Sequence, residues 1–110
     1  MPWFPEPGDL VAISLDPQSG HEQKGRRPAV VVSNAKFNKR TGLMMCCPLT
    51  NTDRGIPFHV PVPPSSRHTG FIMVEQVKSL DYRTRRATKI GKVDGATLEE
   101  VLYILEACLH

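Results

Sequence analysis

The sequence predicts a mainly β fold: a small, strongly bent antiparallel sheet or barrel carrying one C-terminal helix. Three observations lead there. Ten prolines and eight glycines in 110 residues punctuate the chain too often for a helical bundle and suit short strands joined by turns. Apolar residues fall in short runs that either alternate with polar ones or are continuous, the two patterns of strands. Only the segment after Thr97 shows helical spacing. With 40% apolar and 23% charged residues, residues 1–110 read as a single domain able to bury one core.

The first strand runs from Asp9 to Leu15, after the Pro7-Gly8 turn, with Val11, Ile13 and Leu15 making one face apolar. Asp16-Pro17-Gln18-Ser19-Gly20 breaks it, and a polar loop of binding-loop length continues to about Arg26. Pro28 to Ser33 is a β-branched run that reads as a central strand buried on both faces. Ala35 to Arg40 follows Asn34 as a short helix, and Thr41-Gly42 turns the chain into a third strand, Leu43 to Leu49. A fourth, Phe58 to Val62, is confined to an edge by its prolines. Gly70 to Lys78 reads as a fifth strand and Ala87 to Val93 as a sixth. Thr97-Leu98-Glu99-Glu100 fits a capping box, and Leu98, Val101, Leu102, Leu105 and Leu109 form the apolar stripe of the helix that follows.

Composition excludes several classes. The longest wholly apolar stretch, Leu43 to Cys47, is far too short to span a membrane, and the residues from Met1 to Pro7 lack the basic and apolar regions of a secretion signal. Cys46, Cys47 and Cys108 are an odd set; adjacent strand residues face opposite ways, so the first two neither pair nor share a metal, and buried thiols in a reducing cytoplasm are expected. His21, His59, His68 and His110 stand at no zinc-ligand spacing, so no metal site and no cofactor are expected. The net charge is only +3, but six cations lie between Lys24 and Arg40 and five between Arg83 and Lys92, while acids gather towards the ends. That distribution suits a polyanion surface.

Four blocks occur in a telling order: Gly8-Asp9-Leu10-Val11; the long run from Asp16 through Gly20-His21-Glu22-Gln23-Lys24-Gly25-Arg26-Arg27-Pro28-Ala29-Val30-Val31-Val32-Ser33; Pro48-Leu49-Thr50; and Glu75-Gln76-Val77-Lys78-Ser79-Leu80-Asp81, followed by Arg83. In these blocks the chain resembles the MazF/PemK (Kid) family of toxin endoribonucleases, from about Gly8 to Leu109. The resemblance implies an SH3-like barrel with a C-terminal helix, working as a homodimer. It implies an mRNA interferase that cuts single-stranded RNA at a short sequence without a metal, using the RNA's own 2′-hydroxyl. It also implies a cognate antitoxin whose acidic, disordered tail covers the RNA site.

The same resemblance distributes roles. Arg27 matches a catalytic Arg of the MazF branch, with a planar fork suited to two phosphate oxygens. Thr50 matches its partner, whose hydroxyl donates to the phosphate or the developing oxyanion. Glu22 is assigned to base or positioning work, His21 to RNA contact, and Gln23 to ordering the loop or reading a base. Lys24, Glu75, Gln76, Lys78, Arg83, Arg85 and Arg86 complete the expected RNA-binding set, with Tyr82 as a stacking face. The Kid branch uses an Arg and an Asp two residues apart as acid and base; those positions here are Met73 and Glu75, and methionine cannot transfer a proton, while Glu75 stays a candidate base beside Glu22 and His21. A CcdB-like toxin that binds gyrase without cutting RNA is the alternative. CcdB acts through its extreme C-terminus, however, and this chain ends Cys108-Leu109-His110. A non-catalytic RNA-binding barrel is the third reading.

Overall fold

The structure is a computed structural model that describes residues 3–14, 25–63 and 67–110. β1, Asp9–Ser14, starts after Gly8, whose left-handed φ of 91° makes the turn that other residues resist. It pairs antiparallel with β2, Arg26–Val31, which pairs in turn with β3, Leu43–Thr50. Between β2 and β3 lies α1, Ala35–Thr41, capped by Asn34 accepting from the Phe37 N–H at 2.8 Å and ended by Gly42 in the left-handed region.

The predicted fifth strand is interrupted. β4, His59–Pro61, pairs with β5, Phe71–Met73, but residues Val74–Gln76 then form one 3₁₀ turn before β6, Lys78–Asp81. The reason lies in what β3 requires. Leu49 faces Ile72, so an unbroken strand would set Glu75 against Cys46; Lys78 stands there instead. The 3₁₀ turn takes up the extra residues and sinks Val74 into the core.

β7, Thr88–Lys92, pairs with the free edge of β1, giving the order β4-β5-β3-β2-β1-β7, with β6 also on β3. β4 is an edge strand, as its prolines predict. The expected antiparallel fold with a terminal helix is present, but the sheet does not close: β4 and β7 end the order without pairing, so it is a barrel only loosely.

Both faces of β2 are buried. Val30 joins Leu10, Cys47, Leu49, Val60, Ile72 and Val74 in the larger core, while Ala29 and Val31 join Val11, Ile13, Met44, Cys46 and Tyr82 in a second one. The larger core is covered by α2, Gly95–Leu109. This helix begins earlier than the capping box predicts. Asp94, in extended conformation, accepts from the Thr97 N–H at 2.8 Å, which makes Thr97 a buried residue of the first turn rather than the cap. Its buried stripe is Leu98, Val101, Ile104 and Leu105; Leu102 and Leu109, expected inside, face outward. Among the described residues no helix is long and apolar enough to cross a membrane.

Tyr82 is not the exposed stacking face expected of it. It is buried in the second core, its hydroxyl donates to the Asn38 carbonyl at 3.2 Å, and Trp3 meets it edge-on. The fully buried Asn38 amide donates to the carbonyls of Pro5 and Ser33, tying the N-terminal segment to α1. Asn38→Ala leaves those carbonyls without donors, and chemical denaturation should show a loss of about 1–3 kcal/mol, against less than about 0.5 kcal/mol for exposed Lys36→Ala.

Candidate active site

Two neighbouring arginines at the start of β2 have opposite fates. Arg26 donates to Ser14 Oγ at 3.2 Å, to the Ala12 carbonyl at 2.9 Å and to Thr88 Oγ1 at 2.9 Å, so its guanidinium clamps β1, β2 and β7 together. Alternation sends Arg27 to the other face, where it is exposed and has no hydrogen-bond or carboxylate partner among the described residues. A cation left unpaired in a concave place is available to an anionic ligand.

Thr50 ends β3. Ala29 faces Pro48 in the β2–β3 ladder, and the register carried two residues further sets Arg27 across from Thr50. Both line one cleft of about 280 Å³, with Pro28, Leu49, Asn51 and Thr69. Thr50 Oγ1 accepts from the Thr52 N–H at 3.2 Å, which leaves the hydroxyl proton free to donate into the cleft. Gly70 supports this wall: its φ is 124°, and a β-carbon there would lie 2.7 Å from the Thr50 carbonyl oxygen. Only glycine permits β5 to start so close to Thr50.

Arg27 also borders a second hollow of about 210 Å³. Its floor is apolar, from Ile13, Ala29, Cys46, Pro48 and Leu80, and Lys78 and Arg85 stand with Arg27 around it. Of the residues the sequence singles out, the structure thus gathers Arg27, Thr50, Lys78 and Arg85. Arg83 and Arg86 lie in the turn between β6 and β7, where Asp81 Oδ1 accepts from the Arg83 and Thr84 N–H groups at 2.9 and 3.0 Å. His21, Glu22, Gln23 and Lys24 fall outside the described residues.

Glu75 and Gln76 sit in the 3₁₀ turn. Glu75 accepts from His59 Nε2 at 3.0 Å, and its charge acts on Cys47, whose side chain belongs to the larger core on the opposite face from Arg27 and Thr50. Desolvation works to raise the Glu75 pKa, but hydrogen bonds from His59 and from its own backbone outweigh it and hold the carboxyl below its ordinary value. Met73, at the end of β5, faces His59 across the ladder. The Kid-type pair is therefore not assembled here: its acid position holds a thioether, and its carboxylate is engaged by His59.

Three features escape the sequence reading. Asn51 is signalled only by adjacency to Thr50. Thr69 comes from the β4–β5 connection, held where His68 Nε2 bonds the Ile90 carbonyl at 3.0 Å, and no pattern announces it. The His59–Glu75 bond joins residues far apart in sequence and without a motif.

The thiols beside the site are inert. Burial pushes Cys46 up to about 11, against the lowering influence of Lys78 and Arg85, and pushes Cys47 up to about 12, with Cys46 and Glu75 adding to the rise. Cys108 is exposed. At pH 8 one thiol per folded chain should react promptly with a maleimide, and all three of the sequence after unfolding, as counted by intact-mass spectrometry.

Comparison with known proteins identifies the family. Residues 6–109 match the family described as PemK-like, MazF-like toxin of type II toxin-antitoxin system. The endoribonuclease toxin MazF of Escherichia coli K12 is 43% identical over 97 residues, covering 88% of this chain and 86% of that protein. The crystal structure of MazF from Deinococcus radiodurans superposes with a TM-score of 0.86 at 41% identity, covering 98% of both chains. A MazE–MazF structure from the same organism gives 0.88 at 38% identity, covering 97% of both. These relatives support the ribonuclease reading over the gyrase-binding one, and the chain belongs to the PemK-like, MazF-like toxin family.

Proposed function

We propose that this chain is the endoribonuclease toxin of a toxin–antitoxin pair, cutting single-stranded mRNA by attack of the RNA's own 2′-hydroxyl and so halting translation and growth. The observation that carries this reading is one cleft lined by both Arg27, which has no partner among the described residues, and Thr50, whose hydroxyl proton no described residue takes. In the reaction the 2′-oxygen attacks phosphorus while the P–O5′ bond breaks. The 2′ proton leaves to a base and the 5′ oxygen gains a proton, giving a 2′,3′-cyclic phosphate and a 5′-hydroxyl. Two phosphate oxygens take the Arg27 fork, a geometry in which charge-assisted bonds strengthen as negative charge builds on the transition state. Thr50 donates a further bond; its hydroxyl is too weakly acidic to be a base unaided.

Glu22 is the proposed base and His21, Gln23 and Lys24 proposed RNA contacts, on the family resemblance. Lys78 and Arg85, gathered around the second hollow, hold flanking phosphates, a role that fixes register rather than sequence. Glu75, Gln76, Arg83 and Arg86 are proposed as outer contacts. The proposed partner protein is an antitoxin with an acidic tail, suited to the same cations that take RNA; a MazE–MazF complex is known for a structural relative. We further propose a homodimer acting in the cytoplasm, requiring no metal.

Purified protein should cleave RNA in excess EDTA and leave 2′,3′-cyclic phosphate ends. Arg27→Ala should slow cleavage by about 10²–10³-fold, as loss of one oxyanion donor does, with little rescue by Arg27→Lys, whose point charge cannot form two parallel bonds. Thr50→Ala should cost less and Thr50→Ser should keep most activity. Cleavage that depends on added Mg²⁺, or wild-type rates in Arg27→Ala, would overturn the proposal.

A further inference from the structure

We infer that Arg27 divides two base-binding hollows of opposite chemistry, and that base selectivity beside the cut resides in one of them, read by Asn51 and Thr69. The inference rests on the endoribonuclease reading and adds the location of its specificity.

Among the described residues Arg27 is the one shared by the two hollows. If it holds the scissile phosphate, the nucleotides on either side of that phosphate extend into the spaces on either side of its side chain. At about 280 and 210 Å³ both spaces fall below the roughly 300–1,000 Å³ of sites for drug-sized ligands. Each is therefore matched to a single base rather than to a longer segment.

Their walls differ. The hollow on the Thr50 side presents the hydroxyls of Thr50 and Thr69 and the amide of Asn51, which makes no hydrogen bond among the described residues. An unengaged carboxamide carries two donors and an acceptor, the group that pairs with a base edge through two bonds at once. The Asn51 oxygen lies against Gly70, 3.2 Å from where a β-carbon would stand, so the wall behind it is backbone. A base that leaves such polar groups unpaired is rejected strongly, whereas an apolar surface discriminates weakly. The other hollow has that apolar surface: Ala29, Cys46, Pro48 and Leu80 make a floor on which any base can lie flat, and Lys78 and Arg85 are placed for its phosphates. One nucleotide adjoining the cut is thus selected by its edge, and the nucleotide on the other side is tolerated.

The test is cleavage of a single-stranded RNA library randomised around the cut, with the new ends sequenced for wild type, Asn51→Ala, Asn51→Asp and Lys78→Ala. Wild type should show strong preference at one of the two nucleotides flanking the cut and weak preference at the other. Asn51→Ala should lower the strong preference by about tenfold to a hundredfold at that nucleotide alone, the worth of a two-bond base contact. Asn51→Asp, with the donors removed, should change the favoured base there. Lys78→Ala should slow cutting of all sequences alike and flatten the salt dependence without altering the profile. An unchanged profile in both Asn51 variants, or equal flattening on both sides of the cut, would overturn this inference and leave the ribonuclease reading standing. A wild-type protein that leaves the library intact would overturn both.

Discussion

In the β2–β3 ladder Val30 stands against Cys47 and Ala29 against Pro48, and that register decides which side chains reach each face of the sheet. A slip of β2 by one residue would send Val30 to the smaller core and turn Arg27 away from the face that carries Thr50. It is pinned from both faces, because β2 and β3 each contribute to the larger core and to the second one. The site therefore inherits its geometry from packing: two side chains at the open end of a ladder whose closed end is fully buried.

The remaining elements set the surroundings of that ladder. Arg26 ties β1, β2 and β7 together through neutral acceptors, so the strand carrying Arg27 is fixed by the residue just before it. The 3₁₀ turn moves β6 along β3 until Lys78 stands against Cys46, which adds a second cation near Arg27. Had the fifth strand run on unbroken, Glu75 would have occupied that place and set a carboxylate on the face that carries Arg27. Instead Glu75 is drawn to His59, away from Arg27 and Thr50. Gly70 and the segment before it close the far wall.

Much of this was legible in the sequence because the physics is local. The Pro28-to-Ser33 run could be read as buried on both sides from its continuous β-branched composition. The helix after Asn34 announced its cap, and the prolines of β4 announced an edge. What escaped depends on tertiary competition. The helix cap is the local exception: Asp94, three residues before Thr97, accepts from its N–H and so holds the N-cap position itself. The break at Val74–Gln76 follows from the pairing demands of β3, which no window of residues contains. Tyr82 read as a base-stacking ring because it lies among arginines; it is buried because Trp3 and Asn38 meet it from the distant N-terminal segment and α1. For the proposed site, the resemblance points to Arg27 and Thr50, alternation explains why Arg27 and not Arg26 lacks a partner among the described residues, and Thr69 has no sequence signal.

In the proposed reaction the phosphate lies between Arg27 and Thr50. The most direct measurement is a crystal structure with an RNA that carries a 2′-deoxy sugar at the scissile position and so cannot be cut. The scissile phosphate should lie with its two non-bridging oxygens within hydrogen-bonding distance of the Arg27 guanidinium and one of its oxygens within reach of the Thr50 hydroxyl. A scissile phosphate seated at the 3₁₀ turn, beside His59 and Glu75, would contradict it.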